Sequence, residues 1–223
     1  MLLTLVLKDL LIEFRARTAI TFVISLSLML SVVLALGVNS AFLGSHEINK
    51  LFPALIWIVF FLTSVIVLAK SFDSELENRA IDGLLLAGVS PSVFYLSKVI
   101  VNFIISFTGH AISFFALSLL LNINIAPIFF QILLVSVLVL LAFSALACIT
   151  VYIAASSPAK ALLLPLILIP LLFPCYFSAL ELSYMIFLTN RLDFSSYWLS
   201  LLIALDVIYI VLGLNFFHSL LKS

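Results

Sequence analysis

Residues 127–155, PIFFQILLVSVLVLLAFSALACITVYIAA, contain no charged side chain and decide the fold of this protein. A helix needs about 20 mainly apolar residues to cross the hydrocarbon core of a bilayer, and this stretch exceeds that length. Its residues are continuously apolar, whereas a strand of a membrane β-barrel alternates apolar and polar positions. The stretch therefore predicts a transmembrane helix.

The rest of the chain has the same character. It has 223 residues, of which 65% are hydrophobic and 9% charged, and its mean hydropathy is +1.41. A typical soluble domain is about 25% charged, so this composition excludes a soluble globular protein and a disordered chain. Lys and Arg together number 10, as do Asp and Glu. There is no basic excess, so we expect no nucleic-acid partner.

Hydropathy divides the chain into six candidate spans within one transmembrane domain covering 1–223. We expect an all-α integral membrane protein with spans near 19–38, 51–70, 93–121, 127–155, 159–180 and 198–217.

Basic residues are distributed unevenly about these spans. Eight lie on the side of the two termini, and Lys50 and Arg191 lie on the other side. Positive charge is concentrated in cytoplasmic segments, so both termini are predicted to be cytoplasmic. The eight are Lys8, Arg15, Arg17, Lys70, Arg79, Lys98, Lys160 and Lys222.

The first eighteen residues are too charged to span. Leu3, Leu7, Leu10 and Phe14 recur at helical spacing and form one apolar stripe. We expect an interfacial helix along the cytoplasmic headgroups. The alternative is a plain cytoplasmic extension of the first span.

The connection between the second and third spans is the densest charge cluster in the chain. A polar start, a short apolar run and a Gly/Pro stop predict a short helix that turns back into the third span. Its acidic character suits a basic protein surface, and a solvated loop is the alternative. The candidate functional residues of this connection are Asp73, Glu75, Glu77, Arg79, Asp82, Gly83, Gly88 and Pro91.

Gly83 and Gly88 have the glycine spacing of a phosphate-binding loop. Val89 stands where that motif requires a lysine. Without that cation the segment cannot hold a nucleoside triphosphate. If ATP drives this protein, a partner subunit binds it.

The fifth span contains Pro165, Pro170 and Pro174. Each proline removes one backbone donor and crowds the preceding turn. We expect a broken or re-entrant segment, with a kinked span as the alternative.

Polar residues at membrane depth are the candidate intramembrane site. Asp206 lies in the sixth span, and Lys98 and His110 in the third are its candidate partners. His110 could also ligate haem, although a helix-packing hydrogen bond is favoured. Cys148 and Cys175 show no metal-ligand spacing. No catalytic motif is present, so no enzyme, no metal site and no resident cofactor are expected.

Three segments together resemble a known family: FDSELENRAIDGLLLAGVSP at 72–91 with LSK at 96–98, FPALIW at 52–57, and LLLPLILIP at 162–170. The first is similar to the first cytoplasmic loop of ABC-2-type transporter permeases. The combination resembles the cytochrome c maturation protein B family, also called haem exporter protein B. The likeness extends over nearly the whole chain.

The resemblance implies the membrane half of an ABC complex in the bacterial inner membrane, with the mitochondrial inner membrane as the alternative. The segment 73–88 would be the coupling helix for a separate ATPase subunit. Other implied partners are the haem-handling membrane protein and the haem chaperone of the same system, a second copy of the chain, and the bilayer.

Haem would be the cargo, either passing through this subunit or released elsewhere by movement that the subunit transmits. The second mechanism is favoured because the spans hold no Arg and no convincing pair of axial ligands. Two other functions stay open: a generic ABC-2-type permease for a lipid, polysaccharide or drug, and a membrane assembly factor that transports nothing.

Overall fold

A computed structural model describes residues 1–16, 18–41, 43–71, 90–154 and 160–220. Within these ranges the protein has seven α-helices, a short 3-10 turn at Ala126–Ile128, and no strand. The helices are α1 Leu2–Ala16, α2 Thr18–Ser40, α3 Ser45–Ser71, α4 Pro91–Leu120, α5 Phe129–Ala154, α6 Lys160–Thr189 and α7 Tyr197–Leu220.

Helices α2 to α7 are each long and apolar enough to cross a membrane, which confirms the prediction of an all-helical protein with six candidate spans. The largest error in the predicted boundaries is at the end of α6. This helix continues to Thr189, well beyond residue 180, because Glu181 and Ser183 are accommodated within it. A single charge in an apolar run ends a hydropathy segment but does not end a helix.

Helix α5 is the centre of the bundle, and it is the stretch with which the sequence argument began. It packs against α4, α6 and α7. Its middle is built from small buried residues, including Ala142, Ser144, Ala145 and Cys148. Small side chains let neighbouring backbones approach closely, and such packing stabilises helix association where lipid removes the usual hydrophobic driving force.

Two glycines mark the closest approaches between helices. A Cβ on Gly109 of α4 would lie 2.5 Å from Val23 Cγ1 of α2. A Cβ on Gly213 of α7 would overlap the ring of Tyr95 on α4. Any larger residue at either position would have to displace the side chain of Val23 or Tyr95, or the helix that carries it.

Two helices end at an asparagine with left-handed backbone. Asn122 follows α4 and Asn190 follows α6, and each has φ of 54°. Asparagine tolerates this conformation and is a recognised alternative to glycine just beyond a helix. Both spans therefore end where the sequence supplies a terminating residue.

The expectation of a broken or re-entrant fifth span is wrong. Helix α6 is continuous through Pro165, Pro170 and Pro174. Each proline removes only one hydrogen bond of the ladder, whereas unwinding the segment would release several backbone groups into an apolar medium. Side chains also bond to this part of the helix: the hydroxyl of Ser178 donates to the Pro174 carbonyl at 2.8 Å, and that of Tyr209 donates to the Leu171 carbonyl.

Helix α1 packs against α4 and, less extensively, against α2. Its buried face carries Leu5, Val6 and Asp9. Most of the stripe recognised in the sequence faces the other way, because Leu3, Leu7 and Phe14 are exposed, while Leu10 is partly buried against the bundle. The helix is confirmed, and its position at a membrane surface stays a prediction.

Candidate functional site

The acidic segment predicted to bind an ATPase falls largely outside the residues that the structure describes. Its members there are Asp73, Glu75, Glu77, Arg79, Asp82, Gly83 and Gly88. Pro91 is described and is the first residue of α4, preceded by Ser90 with extended backbone (φ −68°, ψ 142°). Proline suits the first helical position because its missing N–H would have no partner in the helix.

The start of α4 carries a buried ion pair with α1. Lys98 Nζ lies 2.8 Å from Asp9 Oδ2, and the two side chains are only 8% and 9% exposed. Lys98 Nζ also lies 5.6 Å from the ring centroid of Phe94. Asp9 Oδ1 is 3.1 Å from Lys8 Nζ, whose side chain is 49% exposed. The acid is therefore held between one buried and one partly solvated cation.

Sequence reasoning missed the role of Asp9. Asp9 shares a helical face with Leu2, Leu5 and Val6, and that face is the buried one. An acid on a buried apolar face needs a cation, and Lys98 is a charge at the edge of a span that needs an anion. Matching these two requirements would have suggested the pair from the sequence.

A second polar group joins four helices inside the bundle. His110 Nε2 on α4 lies 2.8 Å from Ser136 Oγ on α5. The Trp57 indole on α3 is stacked on His110, with ring centroids 5.1 Å apart and an interplanar angle of 21°. Trp57 Nε1 donates to Ser183 Oγ on α6 at 3.0 Å. His110 therefore makes the helix-packing hydrogen bond that was favoured for it, as part of a larger group that we call the Trp57–His110 cluster.

The Trp57–His110 cluster contributes to the lining of two apolar grooves. The groove between α3 and α6 has a volume of about 390 Å³ and is lined by Trp57, Phe61, Phe173 and Tyr176, among others. The groove between α4 and α5 has a volume of about 280 Å³, and His110 and Ser136 lie among its aromatic lining residues.

The lining of the two grooves bears on whether haem binds there. Neither lining includes Lys or Arg, the residues that would bind propionate groups. Among the described residues there is also no group of three or more His, Cys, Asp or Glu that could hold a metal ion.

Asp206 is buried on α7, with 4% of its surface exposed. Within the described ranges, neither carboxyl oxygen has a hydrogen-bond partner, and Cys175 and Ala142 lie nearby. The proposed pairing with Lys98 or His110 is therefore not found. Lys98 is bound to Asp9 and His110 to Ser136, so the three residues do not form one site.

These features define a polytopic helical membrane protein whose N-terminal helix is joined to its third span by the Asp9–Lys98 ion pair. The class is narrowed by comparison with known proteins: the family model described as CcmB protein matches residues 1–220. The chain belongs to this family, the cytochrome c maturation protein B family. A search of curated proteins returned no match.

Family membership establishes the general role. The protein is a multi-pass membrane component, a permease subunit, of the haem exporter ABC system for cytochrome c maturation. It therefore associates with other components of that system.

Proposed function

We propose that this subunit transmits movement from a separate ATPase, which binds its segment 73–88, to the partner membrane subunits that handle haem. One observation carries the proposal: four of the ten acidic residues of the chain lie between positions 73 and 82. Such a cluster next to two apolar spans suits docking to a basic protein surface. Since Val89 replaces the lysine of a phosphate-binding loop, ATP is bound by the partner.

Mechanical transmission is the better supported of the two mechanisms for haem. Haem carries two propionates, and the linings of the two grooves include neither Lys nor Arg. His110 could ligate iron, but its Nε2 atom is engaged by Ser136 and its ring is stacked on Trp57. Its Nδ1 atom has no hydrogen-bond partner among the described residues, so the lack of Lys and Arg in the grooves is the main support for this mechanism. We therefore propose that haem is the cargo of the assembled system, released with a haem-loaded chaperone, and that this chain does not conduct it.

The proposed location is the bacterial inner membrane, with the mitochondrial inner membrane as the alternative and both termini on the cytoplasmic side. Helix α1 then lies along the inner surface of the bilayer. Its exposed face supports this placement because Leu3, Leu7, Leu11 and Phe14 offer apolar contact, and Lys8 and Arg15 supply positive charge for anionic headgroups.

The proposed partners are the ATPase, the haem-handling membrane protein, the haem chaperone and a second copy of this chain. The family match favours this assembly over a generic exporter of lipid, polysaccharide or drug. A deletion strain separates these functions and the assembly-factor alternative. Loss of all c-type cytochromes with other haem proteins intact supports the proposal, whereas loss of resistance to a drug contradicts it.

The proposed coupling is tested by charge reversal. In the double variant Glu75→Lys/Glu77→Lys, we expect the ATPase to be lost from the complex purified in mild detergent, because two attractive charges become repulsive. Cytochrome c maturation should fail in the same cells. Glu47→Lys is the matched control, since Glu47 lies at the opposite end of α3. Undiminished recovery of the ATPase with the double variant would contradict the assignment.

A further inference from the structure

The junction between α1 and α4 has two parts, one polar and one apolar. The polar part is the pair of Asp9 and Lys98, whose charged atoms are 2.8 Å apart and almost fully buried. The apolar part is a small cluster in which Val6 of α1 packs with Val101 and Ile105 of α4 and Val23 of α2. This cluster is separate from the main core of the bundle.

The junction between α1 and α4 lies close to the segment proposed to bind the ATPase. Lys98 lies two turns into α4, which begins at Pro91 immediately after the segment proposed to bind the ATPase. A helix is stiff over so short a distance, so a displacement at Pro91 is delivered to Lys98. Asp9 lies near the middle of α1, so a force applied there moves the whole helix.

A buried ion pair is well suited to hold two helices in one arrangement. Its contribution to stability is small on balance, because removing both charges from water offsets their attraction. Breaking it by removing one partner is costly, since the other, still buried charge loses an attraction across 2.8 Å that offset its removal from water. Sliding α1 along α4 would have that same cost. Lys8 also contacts Asp9, but it belongs to α1 itself and therefore cannot hold α1 against α4.

From these observations we infer that Asp9 and Lys98 are positioning residues that make α1 and the first turns of α4 move as one body. Movement imposed on segment 73–88 then reaches α1 as well as the third span. The exposed apolar face of α1 is carried with it. This inference rests on the proposed coupling to an ATPase. It adds a route by which movement passes from α4 to α1, and the sequence of the acidic segment alone does not indicate that route.

Single substitutions test the route. In Asp9→Asn and Lys98→Gln we expect the ATPase to co-purify at the wild-type level, because segment 73–88 is unchanged. The c-type cytochrome content should fall roughly tenfold or more, since each substitution removes the ion pair that joins α1 to α4 and leaves Asp9 with no cation outside its own helix, or Lys98 without its contact to α1. Lys8→Gln is the control and should keep near wild-type cytochrome content. Full cytochrome content in Asp9→Asn would overturn the inference.

The exchanged double variant Asp9→Lys/Lys98→Asp separates positioning from simple loss of folding. If the two residues act as a pair, the exchange should restore cytochrome content to within about threefold of wild type, a strong positive coupling in a double-mutant cycle. If the exchanged variant accumulates in the membrane but is no more active than either single variant, the pair has no positioning role.

A cross-link provides a second test that leaves both charges in place. Val6→Cys and Val101→Cys are introduced after Cys148→Ala and Cys175→Ala, and the thiols are joined by a short bifunctional reagent. Because α1 and α4 move together in this proposal, the cross-linked protein should support the same ATP-dependent activity of the purified complex as the unlinked one. Loss of activity on cross-linking would show that the helices must separate, which overturns the inference.

The two proposals can fail separately. If Glu75→Lys/Glu77→Lys retains the ATPase, the docking segment is wrong. The exchanged variant Asp9→Lys/Lys98→Asp is assayed by cytochrome content and not by recovery of the ATPase. Recovery or loss of cytochrome content in that variant is therefore informative whether or not segment 73–88 binds the ATPase.

Discussion

Trp57 on α3 donates its indole N–H to the hydroxyl of Ser183 on α6 at 3.0 Å, although 126 positions separate the two residues. The same indole is stacked on His110 of α4. One side chain therefore joins three spans through a hydrogen bond and a ring contact, both in the interior of the bundle.

We expect Trp57→Phe to destabilise the protein by about 1–2 kcal/mol. Hydrogen bonds between membrane helices average about 0.6 kcal/mol, and a favourable ring contact adds about 0.5–1.5 kcal/mol. For a protein of this size the loss corresponds to a decrease in Tm of about 2–8 °C, measured by thermal unfolding in detergent. Ser183→Ala should cost less, because the ring contact remains.

Trp198→Phe is the matched control for this substitution. Trp198 lies at the start of α7, where its ring contacts within the described part of the chain are with Phe177 and Tyr197. An equal decrease in Tm for both tryptophans would show that the bond to Ser183 has no special importance.

Much of the fold could be predicted because the bilayer constrains each span through residues that are contiguous in the sequence. About 20 apolar residues in a row are needed for each span, and that requirement can be read along the chain without knowing any contact. The six spans followed from it, and the N-terminal helix followed from the helical spacing of its apolar residues. The pairs Trp57–Ser183 and Asp9–Lys98 did not, because each joins residues that only packing brings together.

The error at α6 has a different origin. The expectation of a break at Pro165, Pro170 and Pro174 assumed that three prolines so close together prevent a straight helix and that the freed backbone carbonyls are buried in protein. In a membrane the unwound state is the more costly one, so the helix persists.

The contact between Gly213 and Tyr95 predicts a steric effect. In Gly213→Ala the new Cβ would overlap the ring of Tyr95, which is fully buried and whose hydroxyl also donates to the Ala145 carbonyl at 3.2 Å. Since the ring has little room to move, we expect a loss of about 1–3 kcal/mol, typical of an overpacked core. Thermal unfolding in detergent measures it.

The same substitution at Gly37 of α2 is the control, because no atom lies within 4 Å of a Cβ built there. Gly37→Ala should leave the Tm unchanged or raise it slightly, since alanine favours a helix. A comparable loss at both glycines would show that the loss at Gly213 does not come from the contact with Tyr95.

The clash at Gly109 can be relieved by a second substitution. Gly109→Ala places a Cβ 2.5 Å from Val23 Cγ1, so on its own it should destabilise the contact between α4 and α2. Combining it with Val23→Ala removes that atom, and the double variant should be more stable than the sum of the two single losses predicts. Strict additivity in thermal unfolding would argue against this contact.

Asp206 is expected to tolerate replacement by asparagine. The described residues around it include no ion-pair partner within 4 Å and no hydrogen bond to its oxygens. Asparagine has the same shape and no charge, so cytochrome content in Asp206→Asn should stay within about twofold of wild type. Asp206→Lys should abolish accumulation, because it places a cation in the same apolar surroundings. Complete loss of maturation in a normally accumulating Asp206→Asn protein would instead require an ionised carboxylate.

The final prediction concerns the connection between α6 and α7, which lies outside the spans. The hydroxyl of Ser195 donates to Asp193 Oδ1 at 2.6 Å, and the Ser195 backbone N–H donates to the same atom at 2.9 Å. These two bonds favour the charged carboxylate and lower the pKa of Asp193 from its ordinary value of 3.8.

A carboxyl group whose pKa is lower in the folded state contributes stability above its unfolded pKa, and it loses that contribution as the pH falls through the folded pKa. Wild type should therefore be slightly more stable than Asp193→Asn at neutral pH. The difference should stay constant down to about pH 5 and shrink below about pH 4, as the unfolded-state carboxyl begins to take up protons. Thermal unfolding of both proteins across this range measures the difference directly. Ser195→Ala, introduced into both proteins, removes the hydroxyl donor, so the effect of Asp193→Asn on stability should then be smaller at every pH. If the stability difference between wild type and Asp193→Asn instead grows toward acid pH, the carboxylate is destabilised by its surroundings.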